Sequence, residues 1–189
     1  MKSKGFWGVI RVGVLIVAAS IAGLAQTPKE VNFRGTINDY TPQNVPATVN
    51  GPWQLAGHWF LKLKHDGTAD FSATLNMVRS DLGVTLGNNP DLNSAAARSA
   101  HTHRITLLGG SVTFLTNGIR VTGPATITAN GNVPPPFGGN SSLQIDIVGG
   151  NTVTYSNIRV TFMGDAQNHF GGNPMNGVVR SVRTEDHDK

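Results

Sequence analysis

The chain has no cysteine. That excludes disulfides, thiolate-built zinc sites and cysteine nucleophiles. Charge is sparse as well, with only 14% of residues Asp, Glu, Lys or Arg. Lys and Arg are scattered, with no basic stripe and no aromatic interleaving, so nucleic-acid binding has no electrostatic footprint. Acids are too few on the strands for the paired carboxylates of a glycosidase. The sequence also lacks a Gly-x-Ser-x-Gly elbow, a phosphate loop and a His-Glu-x-x-His helix.

Long apolar runs are missing except near the start. Lys2, Lys4 and Arg11 precede an apolar run over residues 12–25 that ends in small residues. A basic start, a short apolar core and a small-residue exit are the pattern of a secretory signal peptide. We expect cleavage after Ala25, and hence an exported protein, secreted or periplasmic. The run is shorter than the roughly 20 residues a spanning helix needs, so no membrane span is expected after the leader is removed. Three of the fifteen basic residues lie in this leader, so the net charge of +4 falls to +1 without them.

What is there is strand pattern. Gly, Thr, Val and Asn abound, and short alternating segments recur between turn residues. Residues 26–30 read as a polar lead, 31–183 as one β domain and 184–189 as a charged, frayed tail. Strands are expected at 31–37, 58–64, 68–77, 101–108, 111–116, 119–129, 141–148, 153–162 with a bulge at Ser156-Asn157, and 177–183. The segment 68–77 alternates without error: Ala69, Phe71, Ala73, Leu75 and Met77 on one face, Thr68, Asp70, Ser72, Thr74 and Asn76 on the other. A three-residue loop, His65-Asp66-Gly67, keeps apolar faces matched by pairing Leu63 with Ala69. Gly109-Gly110 and Asn117-Gly118 read as two-residue hairpin turns, which would pair His103 with Thr116. Long loops are expected at 38–56, 78–100 (with a helical turn near 93–99), 130–140 and 163–176.

These strands describe an antiparallel up-and-down meander. Closing it into a barrel of about eight strands buries the apolar face and removes the edges. A two-sheet sandwich or jelly roll is the alternative. An outer-membrane barrel is not indicated, because the outward face of residues 68–77 is polar rather than an apolar band.

The stretch His101-Thr102-His103 carries the chemistry. Alternation puts both imidazoles on the inward face of one strand, a common way to offer two ligands to a divalent transition metal. Asp81, Asp91 or Asp39 from the overlying loops would complete such a site. Trp53, Tyr40, Met77 and Thr116 are the further residues expected to line a ligand site at this end. Counting nine strands places His169, with Asp165, at the opposite end, about 20 Å or more from the pair.

Two resemblances are local. His-x-His on a barrel strand is similar to the cupin arrangement, which implies a following Glu and a later His. Here no Glu follows His103 before Glu185, so the pattern departs at that residue. Gly57-His58-Trp59 resembles the Gly-x-Trp signature of lipocalins over three residues and implies a ligand-binding barrel. Trp59 reads first, however, as an ordinary core residue beside Leu61.

Three functional classes follow. The first is a non-enzymatic exported barrel binding a small apolar ligand at the His101/His103 end. The second is a barrel metalloenzyme using those histidines. The third is a structural component of the cell envelope or of the secreted fraction.

Overall fold

A computed structural model of the chain describes residues 30–41, 53–79, 100–130, 137, 139–149 and 157–185. It is an all-β barrel. The strands are β1 (Glu30–Tyr40), β2 (Trp53–Leu63), β3 (Thr68–Arg79), β4 (His101–Leu115), β5 (Gly118–Pro124), β6 (Thr126–Ala129), β7 (Ser142–Val148), β8 (Asn157–Met163) and β9 (Met175–Glu185). Between β8 and β9 a 3-10 turn (Gly164–Ala166) runs into a one-turn helix, α1 (Gln167–Phe170).

Every pairing is antiparallel. The order β3-β2-β1-β9-β8-β7-β5-β4 closes on itself through β3–β4. β6 shares one place in the barrel with β5: β4 pairs through residues 103–106 with β6 and through 111–115 with β5. Among the described residues, eight places are thus filled by nine strands. The expected barrel is correct, and the sandwich is set aside.

The alternation that marks the strands also builds the core. Ala69, Phe71, Ala73, Leu75 and Met77 of β3 are all buried, as are Leu143, Ile145 and Ile147 of β7. Burying a Leu, Ile or Phe side chain contributes about 1.5–3 kcal/mol, so this inward face drives closure. Trp59 takes a core place, stacked on Phe71 at 6.5 Å between ring centroids. The β2–β3 hairpin has the expected register, Leu63 opposite Ala69 and Leu61 opposite Phe71, with Gly67 at φ +80°.

Gly109-Gly110 is not a hairpin. β4 runs straight through it as one fifteen-residue strand. Gly109 sits at φ +63°, and the register against β3 shifts between Ala69 and Phe71. Asp70, the single β3 residue facing both Leu108 and Gly109 of β4, accepts the Gly109 N–H at 2.8 Å. An extra residue, a left-handed glycine and a shifted register make a β-bulge. The dipeptide bends a strand instead of reversing it.

The Asn117-Gly118 turn shifts as well. The turn residues are Thr116 and Asn117, with Leu115 opposite Gly118 and Phe114 opposite Ile119. A Cβ at Gly118 would run into the Ile147 carbonyl of β7. This glycine allows close strand approach and is not needed for the turn. Phe114 is 70% exposed, because β4 here extends past Thr68, where its pairing with β3 ends.

Smaller differences lie at element ends. β2 begins at Trp53, inside the expected 38–56 loop, and β9 continues to Glu185, into the expected frayed tail. The leader, the lead residues 26–29, the turn at 93–99, the bulge at Ser156-Asn157 and residues 186–189 are expectations that lie wholly or partly outside the described residues.

Candidate metal centre

His101 and His103 open β4. As expected, both belong to the inward row that continues into Ile105 and Leu107, and His103 is fully buried. Their backbone is held from both sides. Thr102, between them, donates its N–H to Asn130 Oδ1 at 3.0 Å and its hydroxyl to Asn76 Oδ1 at 2.8 Å, and its carbonyl accepts the Asn130 N–H at 2.7 Å.

His169 lies beside them. Its Nε2 is 3.3 Å from His101 Nε2 and 3.0 Å from His103 Nε2. The expectation that it sits at the far end is wrong, and the bulge explains why. In a meander each hairpin reverses the chain. Removing the false hairpin at Gly109-Gly110 moves every later connection to the other end. The β8–β9 connection then shares a mouth with the start of β4, and Phe137 comes with it.

α1 is short but anchored. Gly171 and Gly172 donate their N–H groups to the Gln167 carbonyl and stop it. Ala166 and Phe170 are buried, and Phe170 stacks on Phe162 of β8 at 3.8 Å between centroids, nearly parallel at 14°. Phe170 thus plugs the barrel while its neighbour His169 faces the pair. Aromatic rings wall the trio. Trp53 meets His101 edge-on at 5.8 Å, and Phe137 lies 5.1 Å from His169 and 5.9 Å from His103.

Protonation follows from this setting. Burial, with the neighbouring His169 and His101 adding repulsion, lowers the His103 pKa to about 3. Burial, then His101, lowers that of His169 to about 4. Both rings are neutral near pH 7. His103 Nδ1 is 3.2 Å from the Thr128 carbonyl. A carbonyl only accepts, so Nδ1 carries the proton and Nε2 presents a bare lone pair.

That proton count makes the cluster informative. One Nε2–H on His169 can serve one of its two short contacts well, and the other only as a shared, bent bond. A cation between the rings would accept all three lone pairs at once. Two nitrogens held at about 2.0–2.1 Å by one tetrahedral ion lie about 3.3–3.4 Å apart, and the His101–His169 and His103–His169 spacings are close to that. The ligand atoms of all three histidines lie within 4.8 Å of one another. The Nδ1–H of His103 on a backbone carbonyl is the partner that orients ligating histidines in metal proteins.

The remaining expected site residues divide. Met77 is buried opposite His101 in the β3–β4 register, and Trp53 is buried in the site wall. Tyr40 is 53% exposed. Thr116 is in the turn at the far end of the barrel and does not pair with His103, whose partners are Leu75 and Ala129. Asp39 is not a member of the trio: its carboxylate accepts the Asn176 N–H at 2.7 Å and the Asn176 side-chain amide at 2.9 Å. Asp81 and Asp91 lie outside the described residues. Asp165 lies in the 3-10 turn before His169 and faces the Asn140 N–H at 3.4 Å.

One sequence signal would have found His169. A closed, wholly antiparallel barrel needs an even number of strands, so nine was one reversal too many. Compared with known proteins, the chain matches no family model, no curated protein and no solved structure, so its function is read from the site itself.

Proposed function

We propose that this protein is a metal-binding barrel in which His101, His103 and His169 hold one divalent transition-metal ion at the barrel mouth. The observation that supports it is the convergence of three Nε2 atoms from two separate elements on one point. Imidazole ligands suit zinc, copper, iron or nickel, and three protein ligands leave a position for water or substrate. Such an ion acts as a Lewis acid toward what occupies that position. The chain's own contribution is to keep His103 and His169 neutral, fix the His103 tautomer through Thr128 and wall the site with apolar rings.

The test is equilibrium dialysis of the full folded protein against zinc at pH 7. One equivalent is expected for the wild type, with loss of high-affinity binding in His101→Ala, His103→Ala and His169→Ala alike. Undiminished binding in the His169→Ala protein would remove the three-ligand reading.

A small ligand at this same mouth remains part of the proposal, now through the metal. The interior below is occupied by core side chains, Phe71, Leu75, Phe162 and Phe170 among them. We also propose export, on the strength of the leader at residues 1–25. Protein recovered from outside the cytoplasm should begin at Gln26 by mass, and a chain still carrying Met1 there would contradict this.

A further inference from the structure

We infer that the metal's remaining position takes a small monocarboxylate with an apolar body, one oxygen on the ion and the second accepting from the Trp53 indole N–H. This rests on the metal reading above. Three imidazole ligands bring no negative charge, so the double charge of the ion is left uncompensated. No carboxylate belongs to the group among the described residues: Asp39 is engaged by Asn176, and Asp165, in the turn before His169, faces the Asn140 N–H. A charge in an apolar surround is costly unless it is paired. The group that best completes the site is therefore an anion brought from outside.

The walls narrow its class. Trp53, Phe137 and Phe170 surround the trio, with Met77 buried opposite His101. Apolar walls disfavour a doubly charged, strongly hydrated anion such as phosphate and favour an apolar body. A second, independent observation points to the same ligand. Trp53 is 97% buried (3% exposed), and its Nε1 has no hydrogen-bond partner among the described residues. A buried donor left unmatched is costly and calls for an acceptor. A carboxylate has two oxygens and can satisfy the ion and the indole together.

Cobalt(II) is the probe, because its visible absorption reports the ligands directly. The full protein loaded with cobalt should show a tetrahedral band that benzoate shifts saturably and benzamide leaves alone. Benzoate should bind about tenfold or more tightly than acetate, since its ring is buried against the walls. Trp53→Phe should keep the cobalt band and weaken benzoate about tenfold through the lost donor. A cobalt band that benzoate does not move, or acetate binding as tightly as benzoate, would overturn the inference while leaving the metal site intact. Unweakened benzoate binding in Trp53→Phe overturns the part given to the indole. If no cobalt binds, the metal reading itself fails and this inference falls with it.

Discussion

A histidine buried in a barrel mouth is costly in acid. Free imidazole takes a proton near its ordinary pKa of 6.5, whereas burial holds His103 neutral down to about 3 and His169 down to about 4. Between those values the unfolded chain binds more protons than the folded one, so folding stability is complete above pH 6.5 and declines as the pH falls toward the folded pKa values. Each such histidine contributes a slope of up to about 1.4 kcal/mol per pH unit. Urea unfolding of metal-free protein between about pH 7 and 5 should show this decline, and replacing His103 and His169 with Asn should flatten it. Equal stability across that range in the wild type would mean the two rings are not buried neutral. At this scale much was legible beforehand: the shared face of His101 and His103 followed from alternation alone, and Met77 and Trp53 lie beside His101. His169 was visible as a residue, but its position depended on chain direction, which no single side chain reveals.

The element that decides the site is β4, and within it the bulge at Gly109. Gly-Gly between two apolar alternations fits a two-residue turn and a bulge equally well on local chemistry. The choice is made by tertiary pairing: β3 is long enough to accompany β4 through the bulge, and Asp70 supplies the acceptor that fixes it. Burial pushes the Asp70 carboxyl up, but the Lys64 ammonium and the Gly109 N–H outweigh it and hold it below the ordinary value. A Cβ at Gly109 meets open space, so Gly109→Ala should cost only the left-handed backbone penalty, about 1–2 kcal/mol. Asp70→Ala should cost about 1 kcal/mol through the lost acceptor. Because both act on one bulge, the double variant should lose less than the two costs added. Full additivity in urea unfolding would show that Asp70 and Gly109 act independently. The β2–β3 hairpin was legible for the opposite reason: only its three-residue loop kept both apolar faces matched.

At the scale of the whole molecule, the fold class came from pattern and the site came from parity. Nine apparent strands gave a barrel but could not close it antiparallel. Eight places did, and the change of one reversal carried α1 and its histidine across the molecule to the start of β4. The central claim, three imidazoles on one ion, is tested most directly by X-ray absorption at the zinc edge of the zinc-loaded full chain. The expected result is a first shell of nitrogen and oxygen at about 2.0–2.1 Å, with outer-shell scattering that fits three imidazole rings and drops to two in His169→Ala. Outer-shell scattering from two rings or fewer in the wild-type protein would contradict the account.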